Sequence, residues 1–227
     1  MNVDIVFIGV GGQGILTATG ILGDSAIREG LNVVISEVHG MAQRGGTVEA
    51  HVRFGDARGP LIPDGGALAM AAFEPVEALR GARKIARDGT VVVSTAPIYP
   101  FTVSLGMEEY PAIREVLAAL EGIAGRVVAF DAVETAREAG SVRSVNMAML
   151  GALAATGVLP FSPEVVREGI PARMKDRYLE SGLRAFDAGM ERAAEATDLP
   201  EEKERKVPGE RELKKRRATA SRESSRP

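Results

Sequence analysis

Short apolar runs and amphipathic stretches follow one another through the first 196 residues of the chain. A run of four to eight apolar residues that ends at glycine or at a polar cluster predicts a buried strand, and apolar residues spaced three and four apart predict a helix. The predicted strands lie at 3–8, 31–36, 47–54, 90–94 and 126–130, with a further short strand at 101–105 inside a region of loop signals. The predicted helices lie at 12–28, 74–86, 112–120, 143–156, 163–168 and 172–196.

This alternation predicts the fold class. Strands and helices that take turns along a chain are typical of an α/β fold, here a three-layer Rossmann-like domain with a mostly parallel sheet and helices on both faces. The first strand, the first helix and the second strand lie within about 35 residues, which is the usual length of a βαβ unit. We therefore expect residues 3–36 to form a parallel βαβ unit.

The charges divide the chain into two parts. The segment after residue 200 carries ten basic and six acidic residues with few apolar ones, whereas the body before it holds more acidic than basic residues. A segment of that composition buries too little apolar surface to offset the entropy of ordering it. We predict one α/β domain over 1–196 and a disordered, charged tail over 197–227. The alternative is that the basic run 214–217 docks a partner or nucleic acid, but it has no interleaved aromatic residues, so we expect no nucleic acid partner.

Composition limits the chemistry that the chain performs alone. Cysteine is absent and there are two histidines. These counts exclude disulfides, thiolate nucleophiles, cysteine-bound zinc and an iron–sulfur cluster held by this chain through thiolates. We expect no metal or other cofactor on the chain alone. The most apolar stretch, residues 145–161, is too short and interrupted to cross a bilayer, and the N-terminus shows no signal-peptide pattern, so we expect a cytoplasmic protein without a membrane partner.

A glycine motif follows the first predicted strand. Residues 9–14 read GVGGQG, which matches G-x-G-x-x-G between a strand and a helix. Such glycines allow a tight turn and direct free backbone N–H groups at an anion. Glu37 lies at the end of the second predicted strand, where a dinucleotide enzyme binds ribose. The motif residues are Gly9, Gly11, Gly12, Gln13 and Gly14; they indicate a nicotinamide-linked dehydrogenase, an anion site of another kind, or simple packing of a helix against a strand.

A second polar segment, residues 36–46, is expected to share a rim with the glycine loop, because both lie at the carboxyl ends of strands. Its candidate residues are Glu37, His39, Gln43, Arg44, Gly45 and Gly46. The guanidinium of Arg44 suits recognition of a carboxylate or phosphate, and His39 is a candidate hydrogen-bond donor or acid–base group. The same residues also suit contact with a partner protein. No nucleophile–base pair is evident, so we assign no catalytic residue.

These blocks resemble a known family. Residues 9–17 (GVGGQGILT) and 37–46 (EVHGMAQRGG), followed by 60–65 (PLIPDG) and 73–80 (FEPVEALR), are similar to the beta subunits of indolepyruvate:ferredoxin oxidoreductases. Those subunits correspond to the gamma domain of the 2-oxoacid:ferredoxin oxidoreductases. Weaker similarity covers 146–151 and the helix around residues 184–186. The resemblance spans about residues 1–192 and does not include the charged tail.

The resemblance implies a subunit of a hetero-oligomeric enzyme that is not active alone. In the family a larger alpha subunit carries thiamine diphosphate, Mg²⁺ and 4Fe-4S clusters. The assembly converts an arylpyruvate, coenzyme A and oxidised ferredoxin to an aryl-acetyl-CoA, CO₂ and reduced ferredoxin. The glycine loop is then expected to face coenzyme A phosphates or a partner loop. Two alternatives stay open, an NAD(P)-dependent Rossmann-type dehydrogenase and a non-catalytic scaffold or regulatory subunit.

Overall fold

The computed structural model describes residues 2–40 and 45–196 of the chain. The strands are β1 (Val3–Val10), β2 (Val33–His39), β3 (Thr47–Phe54), β4 (Ala67–Ala72), β5 (Ile85–Ser94) and β6 (Arg126–Phe130). The helices are α1 (Ile15–Arg28), α2 (Pro75–Gly81), α3 (Phe101–Ser104), α4 (Ile113–Glu121), α5 (Ala132–Glu138), α6 (Val145–Ala155), α7 (Pro163–Arg173) and α8 (Asp176–Glu195). Short 3₁₀ turns, Ala82–Lys84 and Val142–Ser144, lead into β5 and α6.

The strands of the described residues form one mixed sheet in the order β2-β3-β1-β4-β5-β6. Strands β1, β4, β5 and β6 pair in parallel, whereas β3 pairs antiparallel with both β1 and β2. The predicted α/β class, with a mostly parallel sheet and helices on both faces, is confirmed. The predicted βαβ unit is corrected, because β3 separates β1 from β2. A short loop joins β2 to β3, so the chain folds back as an antiparallel hairpin that places its second strand beside β1.

Helices cover both faces of the sheet and create two hydrophobic cores. Helices α1 and α5–α8 pack on one face, around large buried side chains such as Phe7, Phe54 and Phe186. Helices α2 and α4 pack on the other face, against Met70 and Leu117 among others. Both cores consist mainly of Ala, Val, Leu and Ile, as the low aromatic content of the sequence requires.

Helices α6 and α8 pack with their backbones in direct contact. A Cβ atom at Gly151 of α6 would lie 1.9 Å from the carbonyl oxygen of Phe186, and one at Gly189 of α8 would lie 2.0 Å from that of Ala148. These distances are far inside van der Waals contact. Only glycine therefore fits at either crossing point.

A loop, residues 55–66, covers the second face of the sheet beside β1, β2 and β3. Arg53 donates hydrogen bonds to two carbonyl oxygens of this loop, at 2.9 and 3.0 Å. The Ile62 N–H donates to Nδ1 of His51 at 3.2 Å, and Lys84 donates to the Ile62 carbonyl at 2.8 Å. Buried polar side chains thus hold the PLIPDG block in place, so its role in this domain is to close the core.

Several predicted boundaries and one predicted strand are wrong. Strand β4, an alanine-rich segment, was not predicted, and the predicted strand 101–105 is instead helix α3, Phe101–Ser104, with Leu105 as its C-cap. The predicted helix 74–86 ends at Gly81, and β5 begins before its predicted start at residue 90. Helix α7 continues to Arg173, so α8 begins later than predicted. The predicted tail, 197–227, lies outside the described residues.

Candidate functional site

The glycine loop connects β1 to α1 at the carboxyl edge of the sheet, and the side chain of Gln13 closes it. The Val10 N–H donates to Oε1 of Gln13 at 2.7 Å, and Nε2 of Gln13 donates to the carbonyl oxygen of Phe73 at 2.8 Å. Phe73 follows β4, the parallel neighbour of β1. Gln13 therefore joins the carboxyl ends of two adjacent strands at the point where the chain changes direction across the sheet, which is where open α/β sheets bind ligands.

The structure requires glycine at different positions of this loop for different reasons. A Cβ at Gly9 would lie 2.5 Å from Oε1 of Gln13 and 2.8 Å from Cβ of Phe73, and one at Gly14 would lie 2.6 Å from Nδ2 of Asn146. Internal packing therefore accounts for both. Gly12 has a φ of 101°, a conformation that favours glycine, although nothing of the described structure lies within 4 Å of its added Cβ.

Gly11 is the glycine that the described structure does not require. An added Cβ would be 3.7 Å from the Gly46 carbonyl oxygen and 3.9 Å from Cγ2 of Val48, which are ordinary contacts. Gly11 and Gly12 are both exposed. The exposed part of the motif thus presents backbone without side chains at the edge of the sheet, and no described contact requires a glycine at position 11.

Gly46, just before β3, contacts the glycine loop. The Gly11 N–H donates to the carbonyl oxygen of Gly46 at 2.9 Å, and the Gly40 N–H donates to that of Thr47 at 3.0 Å. Gly45 has a φ of 69°, in the region that favours glycine. The two segments therefore meet at Gly46, and the predicted ligand- or partner-facing role of the rim stays a prediction. Gln43 and Arg44 lie outside the described residues, so their predicted roles stay predictions.

Glu37 and His39 occupy positions that differ from the predicted loop. Both are exposed residues of β2, whose last residue is His39, so strand structure continues through part of the segment 36–46. Because β3 lies between β2 and β1, Glu37 is two strand spacings from β1, roughly 10 Å across the sheet. The adjacent-strand geometry on which a dinucleotide-binding βαβ unit depends is absent from this sheet, which removes the geometric basis of the dehydrogenase alternative.

Glu74 is a site residue that the sequence did not reveal. It follows β4 at the same edge, is 2% exposed, and caps α2 by accepting a hydrogen bond from the Glu77 N–H at 2.9 Å. The hydroxyl of Tyr110 also donates to this carboxylate. Burial, followed by the hydrogen bond to Glu74, raises the pKa of Tyr110, so its hydroxyl keeps the proton that it donates. In the sequence, Glu74 was marked only as part of the FEPVEALR block and as the residue before a proline at a helix start, neither of which indicates these contacts.

Two buried polar atoms near this edge have no partner in the described structure. They are Oε2 of Glu77, in the first turn of α2, and Oδ1 of Asn146, in the first turn of α6. The other atom of the Asn146 amide, Nδ2, donates to the carbonyl oxygen of Gly14 at 3.2 Å. Asn146 therefore fixes the end of the glycine loop from below, across 132 residues of sequence.

The start of α1 is suited to an anion. Gly14 occupies the N-cap position and supplies no side-chain cap, and the first turn of α1 contains no acidic residue. The positive end of the helix dipole and the first free N–H groups therefore lie next to the exposed glycines. Within residues 2–40 and 45–196, no group of three or more His, Asp or Glu side chains is arranged to hold a metal ion. In the same residues, no helix is both long and apolar enough to cross a membrane.

Solved structures identify the class of domain. The fold is similar to the gamma subunit of a keto/oxoacid ferredoxin oxidoreductase from Geobacter sulfurreducens, with a TM-score of 0.62 and 26% identity over 86% of this chain and 99% of that one. It also matches part of 2-oxoglutarate:ferredoxin oxidoreductase from Magnetococcus marinus, with a TM-score of 0.63 over 91% of this chain and 34% of that one. That second likeness, at 23% identity, concerns the fold alone.

The chain belongs to the pyruvate ferredoxin/flavodoxin oxidoreductase family, whose sequence model matches residues 4–192. Among curated proteins it is 45% identical to indolepyruvate oxidoreductase subunit IorB of Archaeoglobus fulgidus, over 85% of this chain and 96% of that protein. It is 42% identical to the protein of the same name from Methanothermobacter thermautotrophicus, over 86% of this chain and all of that protein. The resemblance deduced from the glycine blocks is therefore confirmed.

Proposed function

We propose that this chain is the small subunit of a 2-oxoacid:ferredoxin oxidoreductase of the indolepyruvate type. The observation that carries the proposal is the identity of 42–45% to relatives named as such subunits, which extends over 96–100% of their length. In the proposed reaction an arylpyruvate loses CO₂, its acyl carbon is oxidised and joins the thiol sulfur of coenzyme A, and the two electrons released pass to ferredoxin.

We further propose that the cofactors lie on a larger subunit. Thiamine diphosphate with Mg²⁺ would supply decarboxylation there, and 4Fe-4S clusters would carry the electrons. The support is chemical, because iron–sulfur clusters are held by cysteine thiolates and this chain has no cysteine. The chain itself would supply a surface that binds and orients a ligand. The candidate site agrees with this role, because it consists of exposed glycine backbone, the side-chain amide of Gln13 and the buried carboxyl group of Glu74.

The glycine loop is proposed to face the phosphates of coenzyme A. Its exposed backbone at Gly11 and Gly12, beside the positive end of α1, provides N–H donors and space for a group with several negative charges. A segment of the larger subunit is the alternative occupant. Arg44 belongs to the neighbouring segment 36–46. Its positive charge is expected to favour binding of either the coenzyme A phosphates or a segment of the larger subunit.

The proposal is tested by anaerobic reconstitution of the full chain with the larger subunit. We expect a brown complex that contains both chains and reduces a redox dye only when an arylpyruvate and coenzyme A are both present. Activity that is unchanged when this chain is left out would contradict the proposal and favour a scaffold role. A chain that is purified alone and colourless, and that binds NADH at micromolar concentrations unless Glu37 is replaced by alanine, would favour a dehydrogenase.

Arg44→Ala is the matching site variant. It is expected to raise the KM for coenzyme A or to weaken association of the two chains, and kinetics together with the mass of the complex distinguish the two. Arg58→Ala, at an exposed position of the loop over the second sheet face, is the control for loss of one surface guanidinium. Wild-type kinetics and a wild-type complex with Arg44→Ala would remove Arg44 from the site.

A further inference from the structure

One buried carboxylate, that of Glu74, joins three separate segments of the chain. Its Oε2 accepts a hydrogen bond from the Glu77 N–H at the start of α2. Its Oε1 accepts from the Ile98 N–H at 3.3 Å and from the Tyr110 hydroxyl. Ile98 and Tyr110 are the two ends of the segment 98–110, which we name the 98–110 lobe. A single oxygen of Glu74 therefore holds both ends of the lobe together.

The lobe presents apolar side chains at the same edge as the glycine loop. It follows β5, which runs parallel to β4 and β1, so all three strands end at one edge of the sheet. Phe101, Leu105 and Met107 are 76%, 52% and 72% exposed. The lobe has internal order as well, because the Leu105 N–H donates to the carbonyl oxygen of Phe101 at 2.9 Å and Val103 is buried.

The base of the lobe is a small aromatic cluster. The rings of Tyr99 and Tyr110 pack edge to face, with centroids 5.2 Å apart and an interplanar angle of 83°. Such an arrangement favours one relative position of the two rings. It brings the hydroxyl of Tyr110 to the carboxyl group of Glu74, which is almost wholly buried, and the hydroxyl donates a hydrogen bond to it. The base is therefore fixed by ring packing and by hydrogen bonds to a buried carboxyl group together.

The same junction also holds the glycine loop. Gln13 donates to the carbonyl oxygen of Phe73, the residue directly before Glu74. One peptide unit thus separates the anchor of the glycine loop from the anchor of the lobe. A shift of residues 73–74 would therefore displace both the side chain of Gln13, which holds the glycine loop, and the base of the lobe.

We propose that Glu74 is a positioning residue that holds the glycine loop and the 98–110 lobe in one preformed arrangement, to which coenzyme A binds. This inference rests on the proposed function for its ligand, although the coupling itself is a property of the isolated chain. When the glycine loop and the lobe are already ordered before the ligand binds, less conformational entropy is lost on binding. This is the physical benefit of the junction. Glu74 touches neither reacting atom, so its effect falls on binding and leaves the chemical step unchanged.

The coupling is tested by hydrogen–deuterium exchange on the full-length chain with Glu74→Gln and Tyr110→Phe. Each variant removes hydrogen-bonding capacity at the junction with little change of shape. We expect Glu74→Gln to raise exchange about five- to tenfold in peptides that cover 98–110 and also in those that cover 9–14. Tyr110→Phe, which keeps the Glu74 side chain and its cap of α2, is expected to raise exchange chiefly in the lobe.

Matched controls exist elsewhere in the chain. Glu134→Gln makes the same change in the first turn of α5, and Tyr178→Phe removes a hydroxyl that bonds Arg143. Both controls are expected to leave exchange at 9–14 and 98–110 as in the wild type. Exchange that rises in the lobe but not in residues 9–14 of Glu74→Gln would overturn the coupling, and so would equal effects of the controls.

Kinetics of the reconstituted complex provide the functional half of the test. We expect Glu74→Gln to raise the KM for coenzyme A several-fold, with kcat and the KM for the 2-oxoacid within about twofold of the wild type. A fall in kcat with an unchanged KM for coenzyme A would overturn the positioning role. A wild-type complex without turnover would contradict the proposed function instead, and the exchange data would still decide whether Glu74 couples the two segments.

Discussion

Glycines in two regions of this domain look alike in the sequence and differ in what requires them. Gly151 and Gly189 lie between α6 and α8, where an added methyl group would meet a backbone oxygen at 1.9 or 2.0 Å. Gly11 lies at the carboxyl edge of the sheet, where the nearest atom to an added methyl would be 3.7 Å away. Gly151 and Gly189 are explained by the fold. No described residue requires Gly11, so Gly11 is the position at which the proposed binding role can be tested without disturbing the fold.

The largest effect is expected at the helix crossing. Gly151→Ala places a methyl group against the Phe186 carbonyl, and the backbone cannot move without separating α6 from α8. We expect the free energy of unfolding to fall by at least about 3 kcal/mol, measured by urea denaturation. Gly59→Ala is the control, since nothing of the described structure lies within 4 Å of its Cβ. Equal stability of the two variants would show that the helices separate easily.

The next effect is expected at Gly9, inside the motif but at its buried end. Gly9→Ala brings a methyl group to 2.5 Å from Oε1 of Gln13 and 2.8 Å from Cβ of Phe73. Because Gln13 must then leave its position or the strand must shift, we expect a loss of about 1–3 kcal/mol of stability, again by urea denaturation. Gln13→Ala combined with Gly9→Ala should recover part of that loss. A double variant no more stable than the single one would place the clash at Phe73.

The buried imidazole of His51 makes the stability of the domain depend on pH. Burial lowers the pKa of His51; Glu49 acts against this shift and Lys84 adds to it. As the pH falls below 6.5, the ordinary pKa of a histidine, the His51 side chain is protonated in the unfolded chain but stays neutral in the folded one. The free energy of unfolding should therefore be highest above that value and fall between it and the lower folded pKa.

This dependence should disappear in His51→Gln and persist in His39→Gln, which replaces the exposed histidine of β2. Urea denaturation between about pH 5 and 7, where few carboxylates titrate, provides the measurement. A pH dependence that His51→Gln retains would assign it to other groups.

The smallest effect on stability is expected at Gly11. Gly11→Ala meets only ordinary contacts, so the free energy of unfolding should change by no more than about 0.5 kcal/mol. If the exposed backbone faces coenzyme A, the KM for coenzyme A in the reconstituted complex should nevertheless rise at least about tenfold, because the methyl group prevents close approach. Gly59→Ala again serves as the control. A stable Gly11→Ala variant with wild-type kinetics would make this glycine a connecting residue only.

Much of the fold follows from local patterns, and the errors have identifiable causes. Strands β1, β3 and β6 and helices α1 and α4 were predicted because their apolar periodicity is clear. Strand β4 was missed because ALAMAA contains no β-branched or aromatic residue; its position between β1 and β5 makes it a strand. Segment 101–105 alternates like a strand, yet it forms one helical turn that Ser104 supports by donating to the Pro100 carbonyl.

The site was predictable only where a motif marks it. The GVGGQG loop and Gly46 of the β2–β3 hairpin meet as the sequence indicated, because β1 and β2 end at the same edge of the sheet. The insertion of β3 was not visible, since no local pattern states which strands are neighbours. The role of Glu74 was equally hidden, because it depends on Ile98 and Tyr110, which lie 24 and 36 residues further along the chain.

The inserted strand also has a consequence for the order in which the domain assembles. Strands β2 and β3 are joined by a short loop, whereas the β1–β3 pairing brings together residues about 40 to 50 positions apart. Short loops close at lower entropic cost, so we expect the hairpin to form first and then dock as a unit on β1. Pulse-labelled hydrogen exchange during refolding should then protect the amides of β2 and β3 that face each other before those of β1. Simultaneous protection would show that the sheet forms in one step.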